Sequence, residues 1–234
     1  MFHFKQFSVD QSGCAMKINT DGVLLGAVAQ ADDPETILDI GTGTGVIALM
    51  LAQRFTNAQI DAVEIDESAA KTAGRNFGNS IFHDRLNIYS SGVVAFFDEY
   101  PENKYDLIIS NPPFYINSLE SPTEKKSLAK HTEVNFFEVL LKDIAGHLSE
   151  NGACWLVLPL ETASLVNELI KQNGLNLQKA MNIHSYPHSV AHRVILCFGF
   201  KEILPEISKL TIYQAAGIYS EEYQKLLQPY FLAF

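Results

Sequence analysis

The stretch Ile37-Leu-Asp-Ile-Gly-Thr-Gly-Thr-Gly45 constrains the fold more than any other part of the chain. A short apolar run carries an acid, three glycines follow at alternate positions, and an apolar block spans Val46 to Ala52. That order predicts a strand, a tight turn and a buried helix. Glycine is required where the turn demands φ angles that side chains disfavour, and where a Cβ would hold the backbone away from a flat ligand. A tight turn that binds nothing satisfies the same pattern, so the rest of the sequence has to decide.

Dinucleotide-binding turns follow G-x-G-x-x-G, with the pyrophosphate over the helix N-terminus. Here Gly41-Thr42-Gly43-Thr44-Gly45 is preceded by Asp39. This arrangement resembles the first motif of S-adenosylmethionine (AdoMet) methyltransferases, whose cofactor has an amino-acid end, a ribose and an adenine but no phosphate. Glu64 belongs to the apolar run Ile60 to Ile65. It falls at roughly the 20-residue offset where an acid meets ribose hydroxyls in related α/β folds. An ionised carboxylate facing two vicinal hydroxyls is a sound physical match; an exposed acid at a helix start is the plain alternative.

The chain has 234 residues, 47% of them apolar, which is enough for one substantial core and predicts a single domain over 1–234. Residues 1–35 are expected to form a hairpin and helix extension packed on that core. No apolar run reaches membrane-spanning length, and Met1-Phe-His-Phe-Lys-Gln6 lacks the apolar block of a secretion signal, so the expected location is the cytoplasm. Cys14, Cys154 and Cys197 are scattered in apolar contexts, which predicts buried free thiols. A formal charge of −10 argues against nonspecific coating of nucleic acid while permitting a local basic groove.

Alternation over residues 2–7 and a turn at Asp10-Gln-Ser-Gly13 before Cys14 to Ile18 predict a small hairpin. Thr20 is placed to cap a helix from about Asp21 to Gln30. Strands are expected at Thr36–Ile40, Ile60–Ile65, Leu86–Tyr89, Tyr105–Ser110, Cys154–Pro159, Leu175–Ile183 and Arg193–Phe200. Helices are expected from Asp66 to about Asn79, briefly over Val93–Asp98, over 136–148 with Asn135 as cap, and from Glu161 to Asn173. Residues 202–234 should add a strand and helix that pack back on the sheet. The alternation predicts a doubly wound α/β fold with a mostly parallel seven-stranded sheet, its last two strands forming an antiparallel edge hairpin.

Asn111-Pro-Pro-Phe114 follows an apolar strand, at the end where open α/β sheets place their ligands. Consecutive prolines fix φ and hold the preceding residue extended, so Asn111 and the Pro112 carbonyl are rigid and kept out of any helix. Two acceptors are thereby left for a substrate amine. The Asn111 side-chain oxygen and the Pro112 carbonyl can accept the hydrogens of adenine N6 and localise its lone pair for attack on a methyl group. Phe114 offers a π-face to the base, worth about 1–3 kcal/mol. No strong general base is needed, because the methylated nitrogen loses its proton readily, and catalysis is chiefly alignment.

The pair Asp39-Ile-Gly-Thr-Gly43 and Asn111-Pro-Pro-Phe114 is similar to the amino-methyltransferases of DNA, RNA and protein glutamine. Phe4-Lys-Gln-Phe7, Cys14-Ala-Met-Lys17, Thr20-Asp-Gly22 and His192-Arg-Val194 extend the likeness over essentially the whole chain. With them, the sequence resembles bacterial enzymes that methylate N6 of adenine 37 in a valine tRNA. The resemblance implies AdoMet as cofactor, bound by Thr20, Asp21, Asp39, Gly41, Thr42, Gly43, Glu64, Ile65, Ser91 and Asn111. It also implies an amine and base site at Asn111, Pro112, Pro113 and Phe114. One departure is that Ser90-Ser-Gly92 lacks the acid that commonly receives the cofactor's adenine amine, leaving Ser91 or a backbone carbonyl to substitute.

Lys125, Lys126, Lys130 and His131 follow the catalytic loop; a solvated loop and contact with tRNA phosphates account for them equally, with His192 and Arg193 as further RNA candidates. His184, His188 and His192 repeat at helical spacing, but Pro187 would break that helix and no acid completes a ligand set, so no metal site is expected. Asp106 is expected to be structural. The expected partner is a tRNA anticodon loop, whose unpaired bases splay into a pocket at low cost, and the expected state is a monomer or weak homodimer. The alternatives are the same chemistry on protein glutamine, ribosomal guanine N2 or DNA adenine N6, a non-catalytic RNA-binding module, and an NAD dehydrogenase.

Overall fold

The structure is a computed structural model that describes residues 1–112 and 123–234, with no account of the side chains of 123–133. Strands β1 (Phe2–His3) and β2 (Ser8–Val9) and helix α1 (Thr20–Val28) precede the first crossover. Then come β3 (Thr36–Ile40), α2 (Val46–Arg54), β4 (Gln59–Glu64), α3 (Glu67–Gly78), a 3-10 turn at His83–Arg85, β5 (Leu86–Ser90), α4 (Val93–Glu99) and β6 (Tyr105–Ser110). The second half runs α5 (Thr123–His147), β7 (Leu148–Leu158), α6 (Leu160–Gln172), β8 (Asn176–His184) and β9 (Ala191–Gly199). It ends with β10 (Glu206–Thr211), β11 (Tyr213–Ala215), β12 (Ile218–Tyr219) and α7 (Glu221–Leu227).

Among the described residues the central sheet has eight strands in the order β10-β8-β9-β7-β6-β3-β4-β5. All neighbours are parallel except β9, which is antiparallel to both β7 and β8. This corrects two expectations. The sheet gains an eighth strand, and the β8–β9 hairpin is not at the edge, because β10 pairs in parallel outside β8. The strand expected within residues 202–234 is β10, but its six residues, with Ile207 exposed, carry too little apolar alternation to fix its place in the sheet.

Alternate residues of each strand serve the two faces of the sheet. Ile37, Leu107, Ile109, Trp155 and Val157 pack with α1 and α2, whereas Leu38, Ile40, Ile108, Leu156 and Leu158 pack with α5 and α6. Both faces are covered, which is why these strands read as continuous apolar runs. Asp106 accepts hydrogen bonds from the Glu35 and Thr36 backbone and from the Ser149 hydroxyl, tying the starts of β3, β6 and β7 together in the structural role expected of it.

Three local expectations also change. The N-terminal hairpin turns at residues 4–7 rather than 10–13, closed by Phe4 N donating to Phe7 O at 2.9 Å, with the two rings stacked 4.4 Å apart in the core. Helix α1 is capped by Asn19, whose side chain accepts from Gly22 N at 2.9 Å, so Thr20 is its first residue. Helix α5 begins at Thr123, placing Asn135 inside it and Lys125, Lys126, Lys130 and His131 on helix rather than loop. That first stretch is too polar to show an apolar period.

Candidate active site

Parallel pairing of β3 with β6 sets Ile40 opposite Ser110, and the Ser110 hydroxyl donates to Ile40 O at 2.8 Å. The register delivers the glycine turn and Asn111 side by side beyond the carboxyl ends of adjacent strands. Gly41, Gly43 and Gly45 all have positive φ, at 71°, 57° and 81°. A Cβ built on Gly41 or Gly43 meets nothing within 4 Å, so the space above the turn is open. On Gly45 it would stand 2.5 Å from the Phe77 ring, so this glycine serves packing between α2 and α3.

Asp39 is fully buried beneath the turn, where one carboxylate oxygen accepts from the Thr42 hydroxyl at 2.6 Å and from Ala48 N at 3.2 Å. Its other oxygen is buried with no hydrogen-bond partner among the described residues. Burial raises its pKa to about 7, against the lowering effect of those two hydrogen bonds. The structure thus places Asp39 where it acts on the turn. Glu64 sits at the end of β4 with one oxygen accepting from Gly43 N at 2.8 Å and the other from Asp66 N at 2.9 Å. Each oxygen keeps acceptor capacity for a further donor. Ile65 beside it is 79% exposed, and Ser91 N donates to Glu64 O at 3.0 Å.

One cleft is lined by Gly41, Thr42 and Gly43 on one side and by Asn111 and Gly22 on the other, with Lys17 and Asn19 at its wall. The Asn111 amide nitrogen lies 3.5 Å from where a Cβ on Gly22 would stand, so a larger residue there would crowd the asparagine. Thr20 and Asp21 adjoin this wall in the chain, and Pro112, next to Asn111, is buried. Pro113 and Phe114 lie outside the described residues, as do the side chains of Lys125, Lys126, Lys130 and His131. Lys17, Asn19 and Gly22 carry no assigned role in the motifs; the one signal for them is the capping side chain of Asn19, one residue ahead of the Thr20 that the sequence pattern favours.

Arg193 and His192 lie on β9 and are not among the residues lining the cleft. Arg193 donates from Nε to Asp21 at 2.8 Å and from a terminal nitrogen to His192 O at 2.9 Å, fastening β9 to the first turn of α1. Burial lowers the pKa of His192, partly opposed by Asp21. No group of three or more His, Cys, Asp or Glu is placed to hold a metal among the described residues, and none of their helices is long and apolar enough to cross a membrane.

The family model described as the methyltransferase small domain matches residues 14–178. The chain belongs to that family. This methyltransferase is 49% identical over 233 residues to a protein of Pedobacter heparinus named tRNA1(Val) (adenine(37)-N6)-methyltransferase, covering 100% of one chain and 98% of the other. It is 42% identical over 234 residues to a protein of the same name from Flavobacterium johnsoniae, covering 99% of each. Among solved structures, a protein described as a predicted O-methyltransferase from Agrobacterium tumefaciens superposes with a TM-score of 0.67 at 18% identity, over 90% of this chain and 96% of that one. A methyltransferase from Pyrococcus furiosus gives 0.55 at 22% identity, over 82% and 91%. At those identities the structures speak to the Rossmann-like fold alone.

Proposed function

We propose that this methyltransferase uses AdoMet to methylate N6 of adenine 37 in the anticodon loop of a valine tRNA, in the cytoplasm and as a monomer or weak homodimer. The observation that carries the reading is that Asn111 and the open glycines Gly41 and Gly43 line one cleft. The name shared by relatives matched along their whole length supports the choice of substrate.

The residues present suit AdoMet: two glycines leave room where a side chain would intrude, and Glu64 has acceptors left for ribose hydroxyls. Bound there, AdoMet supplies an electrophilic methyl group. Gly41, Thr42 and Gly43 form the floor, kept in shape by Asp39 from below. Ile65 offers an apolar face for the cofactor's adenine, Ser91 stands in for the missing acid, and Thr20 with Asp21 walls the methionine end.

Asn111 and the Pro112 carbonyl accept the two hydrogens of the target amine, orienting its lone pair, with Pro113 and Phe114 completing the motif. The contribution is positional: a nitrogen held at the methyl with its orbital aligned gains the advantage of an intramolecular reaction. An unpaired loop base reaches the cleft without breaking a duplex. Lys125, Lys126, Lys130 and His131 at the start of α5 are the candidates for phosphate contact.

Nucleoside mass spectrometry of purified valine tRNA incubated with the protein and AdoMet tests this. N6-methyladenosine mapped to position 37 is the expected result. No incorporation, or methyl groups solely on guanine or on a protein amide, would remove the assignment.

A further inference from the structure

Four tyrosines stack into a ladder that starts in the core and ends in solvent. Tyr223 is buried, Tyr219 stacks on it at 4.9 Å and 11°, Tyr213 on Tyr219 at 5.0 Å and 22°, and Tyr186 leans on Tyr213 at 5.6 Å and 33°. The last ring, Tyr186, is 43% exposed. A single exposed aromatic is ordinary. The loop that presents it is not loosely held, however. Tyr186 N donates to the Ser189 hydroxyl at 3.0 Å, Ser189 N returns to Tyr186 O at 3.1 Å, His184 bonds Ser189 O at 2.7 Å, and Lys209 donates to Pro187 O at 3.0 Å. The ring is held ready, so little entropy remains to be lost when something stacks on it.

The topology puts this ladder on the rim that holds the cleft. Val194 pairs with Leu158 and Ala191 with His184, so the β8–β9 loop lies beyond the carboxyl ends of the parallel strands. Thr211 pairs with His184, which brings Tyr213 to the same rim. From β6, which ends one residue before Asn111, to β8 is three strand spacings, about 14 Å. At roughly 3.4 Å per stacked nucleotide that is about four nucleotides. The Arg193 end of the Asp21–Arg193 ion pair sits on β9, between β7 and β8.

We propose that Tyr186, the exposed end of this ladder, is a stacking platform for an unpaired RNA base a few nucleotides from the methylated one. The proposal rests on the tRNA reading above. Stacking suits this chain because its formal charge of −10 limits what phosphate attraction can supply, and a π-face accepts any base. A protein ligand on the same ring is the competing occupant, and the test separates the two.

Tyr186→Ala should weaken tRNA binding about 5- to 150-fold, the range a lost base–aromatic stack converts to. Tyr186→Phe, which keeps the π-face, should stay within about twofold of wild type. The salt slope of binding should not change, because no phosphate contact is removed. AdoMet binding and methylation of an RNA trimer too short to reach the ladder should be untouched. Ultraviolet crosslinking of wild-type protein to tRNA should give an adduct at Tyr186 or Tyr213. If wild type methylates tRNA while Tyr186→Ala binds it normally, or the adducts lie elsewhere, the platform is disproved and the tRNA reading survives. If wild type methylates no tRNA, both fall.

Discussion

Asn111 owes its value to the residue after it. Without Pro112 the asparagine would be free to enter a helix, and its acceptor would have no fixed direction. Asn111→Ala should leave AdoMet affinity within a few fold while lowering kcat by about 10² to 10³, the cost of one pre-organised polar group in a reacting site; isothermal calorimetry and single-turnover rates separate the two. Asp39 shows the limit of reading residues one at a time. Its position ahead of the glycines marks it as important, yet its full burial and its bond to Thr42 depend on β4 and α2 closing over it. Because burial raises its pKa to about 7, its protonated form favours the fold: the stability it contributes is fully present below about pH 4 and is lost as the pH rises through about 7. Urea melts of wild type and Asp39→Asn should therefore diverge with rising pH, the wild type losing ground to the variant. Parallel curves from pH 4 to 8 would contradict the raised pKa.

The elements were legible where one signal dominated. Strand β3 and strand β6 have the bounds their apolar runs announce, and the acid, the glycine turn and Asn111-Pro112 fall at their ends. The start of α5 was not legible, since a polar helix has no buried stripe to mark it, and of β10 the presence was legible but not its bounds or its place outside β8. The glycine turn divides its labour in a way that mutation can expose. Gly43→Ala meets no neighbour and should cost about 1–2 kcal/mol of backbone strain while abolishing cofactor binding. Gly45→Ala adds a collision with Phe77 to the same strain, and should cost about 2–5 kcal/mol. Denaturation midpoints compared with AdoMet affinity distinguish a ligand glycine from a packing one; equal stability losses would refute the division.

On the scale of the molecule, the cysteines report on the whole fold. Cys154 and Cys197 are buried in β7 and β9, and burial pushes the Cys197 thiol up to about 12, whereas Cys14 is half-buried in the N-terminal segment. A thiol-reactive dye should label Cys14 first and reach the other two only at the rate of global unfolding, as peptide mapping would show; early labelling of Cys197 would mean that the β7–β9 pairing opens on its own. That pairing has a broader meaning. Since β8 and β10 run with the other strands while β9 runs against them, the polypeptide reaches the rim beside the cleft at His184, leaves it along β9 and returns at Thr211, bringing a surface encoded more than seventy residues downstream of Asn111. On the reading proposed above, donor binding and target selection are written in separable stretches of one gene product, and a graft of the distal stretch from a relative should then redirect the enzyme without rebuilding its chemistry.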